Sequence, residues 1–406
     1  MMNKTLGTTL LVSGTMIGAG MLAMPLTSAG IGFPFTVVLL LALWLLLTYS
    51  ALLFVEVYQT TESDSGIGTL AALYFGNAGR VFATTVMFVF LYALLAAYVS
   101  GGGEILLKAA QDAGIVGASG SIAGLSPTVT EKLCVALFTA FFGAFVITST
   151  KMVDGFNRVL FFTMLLALLA VLGVMFPKIT LPNLMAMPLD GLLLVSASPV
   201  FFTAFGFHGS IPSLNKYLDG NVRALRFAIL TGSAITLVCY ILWQLSTHGV
   251  LAQSEFTRIL AEKNSLDGLI EACRRITGSD SITAAVQIFS VLALITSFLG
   301  VALGLFDCIE DMLRKGLNIK AGRALLGALT FIPPLFCAYF LNFRAALGYA
   351  GQMFAFFAVV LPVGLAWRAR RRHPQLPYRV AGGDAALLLA LILGISIACI
   401  PFFIAE

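Results

Sequence analysis

Eleven stretches of this chain are each long and apolar enough to cross a bilayer as a helix, and that alone decides its fold class. A 19-residue hydropathy window places them near 6–31, 34–57, 82–107, 132–149, 157–176, 191–213, 225–249, 281–311, 324–341, 344–367 and 384–403. A helix needs about 20 residues to span roughly 30 Å of hydrocarbon, and in lipid every backbone N–H and C=O must pair within the segment. Of 406 residues, 59% are hydrophobic and 11% charged, with a mean hydropathy of +0.98. Soluble domains carry about 25% charged residues, and no water-soluble fold hides this much apolar surface. Long unbroken runs also argue against a transmembrane barrel, whose mark is short alternating segments. The sequence predicts an all-α polytopic membrane protein.

Basic residues orient it. With the amino terminus inside, the outer segments hold Lys108, Lys132, Lys178, Arg258, Lys263, Arg274, Arg275 and Arg344, and the other sixteen of the 24 fall inside. Cytoplasmic loops carry the Lys/Arg excess, so the amino terminus is expected in the cytoplasm and the carboxy terminus outside. The net charge of +5 then sits on one side of a membrane, and no nucleic-acid partner is expected. Arg368 to Arg372 reads as a topology signal and a contact for anionic lipid heads. Five of the six cysteines lie in or at the ends of apolar runs and only Cys273 falls in a polar loop, so no disulfide framework is indicated. No zinc spacing is present, and neither a metal nor a cofactor is expected. Met1 to Lys4 followed by an apolar run through Ala29, with no convincing cleavage site, reads as an uncleaved first helix.

Two of the spans are interrupted. The first contains Gly14-Thr15-Met16-Ile17-Gly18-Ala19-Gly20 and then Pro25; the sixth contains Phe205-Gly206-Phe207-His208-Gly209-Ser210-Ile211-Pro212. Glycine costs about 1 kcal/mol and proline about 3 kcal/mol in a helix interior. Clusters of both at membrane depth leave backbone groups unpaired, which is tolerable only where they line a cavity. Spans one and six open two five-helix sets, and breaks in matching places of two halves point to a transporter substrate site. The chemistry suits an amino acid: half-helix N–H groups bind a carboxylate, and freed carbonyls bind an ammonium. Gly18 and Gly20 also fit a second reading, as small residues that pack helices.

Several side chains stand out at membrane depth. His208 is read as the histidine within a span, since His248 closes helix 7 and His373 lies in a loop. An ionisable group there suggests function, here proton exchange; a neutral histidine bonding unwound backbone is the plainer alternative. Glu104, after Ser100-Gly101-Gly102-Gly103 in helix 3, fits either a proton carrier or an interfacial carboxylate. Tyr92 and Tyr98 in helix 3 fit the wall of an aromatic pocket or interface anchors, with Tyr98 the deeper. Tyr240 and Trp243 in helix 7 are equally open.

The run Gly14 to Pro25 resembles the helix 1 motif of the hydroxy/aromatic amino acid permease family. Phe205 to Pro212 resembles its helix 6, Ser297-Phe-Leu-Gly-Val-Ala-Leu-Gly-Leu-Phe-Asp307 its helix 8, and Pro377-Tyr-Arg-Val-Ala-Gly-Gly383 the segment before its last span. The likeness runs along the whole chain, and within the family it is greatest to tyrosine carriers, with tryptophan carriers next. It implies a LeuT-type fold: five plus five helices in inverted repeat, about 5–176 and 191–367, in a core of 1–382, with an eleventh helix in 383–406. It implies secondary transport, the import of L-tyrosine with protons across the bacterial inner membrane. A tryptophan or broad aromatic substrate, or sodium in place of the proton, stays open.

The resemblance also implies roles. Backbone of Gly18, Ala19 and Gly20, with the hydroxyl of Thr15 nearby, would meet the substrate carboxylate. Carbonyls around Phe202, Thr203 and Phe205 would meet the ammonium, and the Phe202 and Phe205 rings would cover the ligand, although core packing explains them equally. In sodium-coupled members of the superfold adjacent helix 8 hydroxyls, here Thr296 and Ser297, help coordinate the ion. Some proton-coupled members use a helix 5 lysine instead. Helix 5 here has none, and Met164 and its neighbours are apolar.

Rival classes lack their signatures. No HExxH, GxSxG or P-loop run marks an enzyme, a ring-type channel filter needs repeated loops, and a scaffold would have no reason to sustain two matched breaks.

Overall fold

The computed structural model describes residues 4–403 except 64, 118–119, 123–124, 149, 189–190, 264–267, 270–271, 273–274, 276–279 and 317–318. Cys273 and Arg274 lie outside the described residues, as do the side chains of Lys263 and Arg344. Among the described residues the ordered elements are all helical.

The first span is two helices, α1 (Lys4–Met16) and α2 (Ala19–Thr27), bent by 47° at the glycines. Then come α3 (Gly32–Tyr58), α4 (Ile67–Asp112, kinked at Gly76), α5 (Pro127–Thr148), α6 (Thr150–Met175) and the short α7 (Leu181–Leu184). The sixth span is α8 (Gly191–Ala204), an irregular Phe205–Phe207, a 3-10 turn His208–Ser210 and α9 (Ile211–Tyr217). The chain continues through α10 (Val222–Val250), α11 (Gln253–Lys263), α12 (Asp280–Asp311), α13 (Arg323–Ala338), α14 (Phe343–Ala355), a π-helical turn Phe356–Val360, α15 (Leu361–Arg372) and α16 (Gly383–Phe403).

Among the described residues eight helices are long and apolar enough to span a membrane, and α1 with α2 makes a ninth. The other two expected spans fall on shorter helices, α8 with α9 and α13. This is a multi-pass membrane protein. Helix 3 starts well before the expected residue 82, because the amphipathic stretch from Ile67 continues the helix across the Gly76 kink. The long loop expected at 250–280 carries α11.

Contacts divide the chain into two compact units. The first holds Met1–Phe90, Leu172–Thr283 and Gly351–Glu406; the second holds Leu91–Val171 and Ala284–Ala350.

In the first unit α1 packs along α10, α10 along α3, α2 along α8 and α3 along α15. Small residues set these approaches: a Cβ on Gly232 would lie 2.8 Å from both the Thr9 carbonyl and Val12 Cβ. Trp44 and Thr48 of α3 both hydrogen-bond Ser233 of α10, at 3.1 and 3.3 Å.

In the second unit α5 packs against α13, with Gly143 on the Phe331 ring and Gly327 on Ile147. The Arg323 guanidinium donates to the carbonyls of Ile147 and Val146 at the end of α5, supplying donors to a helix end that has none left within the helix. Phe138, Phe298 and Phe331 form an aromatic column, with centroids 5.3 and 6.0 Å apart.

Candidate functional site

Both breaks lie in the first unit and meet. Gly20, in the first turn of α2, lies against the last residue of α8: a Cβ there would sit 3.0 Å from Ala204 Cβ and 3.1 Å from its Cα. The residues from Met16 through Pro25 are buried. An uninterrupted helix would pair the Met16 carbonyl with the Gly20 N–H and the Ala204 carbonyl with the His208 N–H. The breaks remove those partners, and Tyr240 of α10 stands in for them, with its Oη 2.7 Å from the Met16 oxygen and 2.7 Å from the Ala204 oxygen. Its ring meets Phe205 edge-on at 5.0 Å. The carbonyls of Thr203 and Phe205 accept from the N–H groups of Gly206 and Phe207 at 2.9 and 3.1 Å.

The structure brings Gly18, Ala19, Gly20, Phe202, Thr203, Phe205 and His208 into this one unit, all buried. Thr15 belongs to the same unit but is exposed, and its hydroxyl donates to the Leu11 carbonyl of its own helix at 2.7 Å. The Thr203 hydroxyl likewise donates to the Pro199 carbonyl at 2.8 Å. This back-bonding is how a hydroxyl is satisfied in an apolar medium.

His208 is fully buried. Its Nε2 lies 2.9 Å from the Ser50 hydroxyl and 3.1 Å from the Leu47 carbonyl, both on α3. A carbonyl only accepts, so Nε2 carries the proton. That tautomer leaves Nδ1 as an acceptor, and among the described residues it has no hydrogen-bond partner. Phenylalanines surround the ring: Phe207 at 4.9 Å, Phe354 at 5.3 Å and Phe54 at 6.3 Å. Phe354 in turn touches Phe90 and Phe202, at 4.8 and 5.3 Å.

Tyr98, Glu104, Thr296 and Ser297 belong to the second unit. The Tyr98 hydroxyl hydrogen-bonds the Ser297 side chain, and Tyr98 is buried. Thr296 lies against helix 5, its hydroxyl 3.8 Å from the Met164 sulfur and 3.1 Å from the Ala293 carbonyl. Tyr92 donates to the Leu329 carbonyl at 2.8 Å. Glu104 is half-buried, and the glycines before it bring neighbours in: a Cβ on Gly102 would lie 2.3 Å from the Phe138 ring, and one on Gly103 2.8 Å from Val135 Cα.

Other residues take part beyond those the sequence assigns to the site. His248 lies in the last turn of α10, the end of helix 7 where the sequence places it. It is buried, with Nε2 2.9 Å from the Ser28 hydroxyl at the end of α2, because the helix runs on to Val250 and packs its last turn inward. Arg370, read only as part of a topology cluster, forms a two-point ion pair with Glu56 of α3, at 2.7 and 2.9 Å. A carboxylate inside an apolar run was the available signal for that pair. The Pro377–Gly383 motif completes the arrangement. Val380 N–H donates to Glu56 at 2.8 Å, the Gln59 side chain pairs with both backbone groups of Tyr378, and Gly382 and Gly383 at φ +96° and +57° turn the chain into α16.

The model of the tryptophan/tyrosine permease family matches residues 1–401. Tyrosine-specific transport system 1 of Haemophilus influenzae is 63% identical over 99% of this chain and 98% of its own length. Tyrosine-specific transport system 2 of the same organism is 51% identical over 99% and 97%. A tryptophan-specific transport protein of Pseudomonas aeruginosa is 33% identical over 96% and 92%.

Proposed function

The chain belongs to the tryptophan/tyrosine permease family, and on that premise we propose that it imports L-tyrosine across the bacterial inner membrane with protons. It is a permease and not an enzyme. Tyrosine is favoured because the two relatives named tyrosine-specific are far more like this chain than the tryptophan-specific one. The observation that carries the site is the meeting of the two breaks at Gly20 and Ala204, where carbonyls at two helix ends face one point.

A LeuT-type architecture fits the division into units. Spans 1, 2, 6 and 7 fall in the first and spans 4, 8 and 9, with most of span 3, in the second, while most of span 5 falls in the second and most of span 10 in the first, so four of the five corresponding pairs share a unit. The core is then 1–382, with the eleventh helix beyond it, the amino terminus in the cytoplasm and the carboxy terminus in the periplasm. Gly18, Ala19 and Gly20 offer N–H groups to the substrate carboxylate, carbonyls at the breaks take the ammonium, and Phe202 and Phe205 cover the ligand. His208 is the candidate proton carrier, an ionisable group at membrane depth whose Nδ1 is an acceptor with no hydrogen-bond partner among the described residues. Glu104 is a second candidate carrier, and Thr296 and Ser297 are the alternative coupling site.

The test is radiolabelled tyrosine uptake into proteoliposomes under an inward proton gradient and, separately, an inward sodium gradient, with each natural amino acid as competitor. Proton-driven uptake blocked only by aromatic competitors is expected. His208→Gln is expected to lose proton-driven accumulation while still exchanging tyrosine across the bilayer; accumulation with unchanged pH dependence would remove the coupling role. Sodium-driven uptake would move coupling to Thr296 and Ser297, and no uptake by folded protein under either gradient would overturn the substrate.

Tyr98 is proposed to read the substrate phenol. A site that hydrogen-bonds a hydroxyl rejects the analogue lacking it far better than an apolar pocket rejects an added one. Tyr98→Phe is therefore expected to cut the preference for tyrosine over phenylalanine by about 10-fold or more, measured as the ratio of competing concentrations. An unchanged ratio would leave Tyr98 as a packing residue held by Ser297.

A further inference from the structure

Tyr240 carries one hydroxyl proton but faces two carbonyl oxygens at 2.7 Å, those of Met16 and Ala204. At any instant it donates to one of them, and the other stands at hydrogen-bond distance from an oxygen with no proton to offer it. These carbonyls terminate α1 and α8, so two negative helix-dipole ends converge on the same hydroxyl. Among the described residues these two oxygens share the one hydroxyl proton, at a point rich in negative potential. A primary ammonium meets both needs, since it brings a positive charge and three N–H groups.

The geometry points to Tyr240 as a substrate-binding residue whose hydroxyl is the third oxygen of the ammonium seat. This rests on the amino acid reading above and adds a ligand from helix 7 to the two broken helices. Without substrate the phenol donates and closes the carbonyl pair. With substrate the ammonium donates to the Met16 oxygen, the Ala204 oxygen and Tyr240 Oη, and the phenol changes from donor to acceptor. A phenol oxygen can do both. The edge-on contact with Phe205 holds the ring in place through that exchange and links ammonium binding to a ring proposed to cover the ligand.

The experiment compares Tyr240→Phe with the wild-type full-length protein in proteoliposomes. Competition against radiolabelled L-tyrosine is read for unlabelled L-tyrosine and for 3-(4-hydroxyphenyl)propionate, the same molecule without its ammonium. The phenylalanine variant keeps the ring on Phe205 and removes only the oxygen. Binding of L-tyrosine is expected to weaken by about 10-fold or more, the range of a hydrogen bond to a charged group. Competition by the desamino compound is expected to change by no more than about twofold, as it makes no contact there. Equal loss for both ligands would overturn the inference and leave Tyr240 as a structural staple between the breaks. If the wild type binds neither compound, the substrate reading fails first and the inference falls with it.

Where Tyr240→Phe does not fold, 3-fluorotyrosine placed at 240 keeps both shape and hydroxyl. Fluorine makes the phenol a stronger donor and a weaker acceptor, so it holds the carbonyls harder and receives the ammonium less well. Both changes weaken L-tyrosine alone; weakening of both compounds alike would again overturn the assignment.

Discussion

Alanine at position 351 is expected to abolish tyrosine uptake, and alanine at position 348 to leave it intact. The two glycines lie one helical turn apart on α14 but meet different surroundings. A Cβ on Gly351 would lie 2.2 Å from the Pro199 carbonyl oxygen, 2.8 Å from its carbon and 2.6 Å from the Thr203 hydroxyl oxygen; one on Gly348 meets nothing within 4 Å. Two of those three atoms are backbone, so no rotamer change relieves the clash. Overpacking costs about 1–3 kcal/mol and sometimes more, and here the segment forced to move is the last turn of α8. That turn carries Thr203, bonded to Pro199, and ends at Ala204, whose carbonyl meets Tyr240. A shift of about 1 Å in an element that positions a reacting or binding group costs on the order of 100-fold in rate. Uptake at matched membrane expression checks this, and normal uptake by Gly351→Ala would mean that the α8 break tolerates displacement.

The breaks were legible in sequence because glycine and proline carry a fixed conformational penalty wherever a helix must continue, so two clusters at membrane depth announce themselves. What joins them was not. Tyr240 is one of 10 tyrosines, and its reach to Met16 and Ala204 depends on how α10 crosses α1 and the end of α8, which no spacing within α10 encodes. His208 was visible as an ionisable group at membrane depth, but its partners Ser50 and Leu47 come from a helix about 160 residues away in sequence. The hydropathy of α3 gives no reason to prefer one serine over another. Hydropathy also could not foresee the π-helical turn at Phe356–Val360, because its residues are as apolar as their neighbours. Glu56 is different: it was readable and passed over. Counting Lys and Arg to orient the chain treats Arg368 to Arg372 as interchangeable charges, whereas a carboxylate in the last turn of an apolar helix demands one particular partner.

Removing that partner produces the largest loss of stability expected from any one arginine here. The Glu56 side chain is wholly shielded from solvent and that of Arg370 is 10% exposed, so Arg370→Ala strands a carboxylate whose remaining contact is the Val380 N–H at 2.8 Å. Breaking a buried pair by deleting one member costs about 3–5 kcal/mol. The same guanidinium also donates to the carbonyls of Gly383 and Val380, at 3.2 and 3.1 Å, so the segment leading into α16 loses its tether as well. The thermal midpoint of the detergent-solubilised protein is expected to fall by roughly 4–6 °C. Arg370→Lys keeps the charge but not the two-point geometry, and should fall between alanine and wild type. The sign of the double variant isolates the cause. Glu56→Gln with Arg370→Met removes the stranded charge together with its partner, and replacing a buried pair by uncharged groups is often neutral. Its midpoint should therefore recover most of what Arg370→Ala loses. A double variant as unstable as Arg370→Ala would locate the stabilisation in the tether to α16 and not in the charge pair, and an Arg370→Ala midpoint equal to wild type would mean that water reaches Glu56.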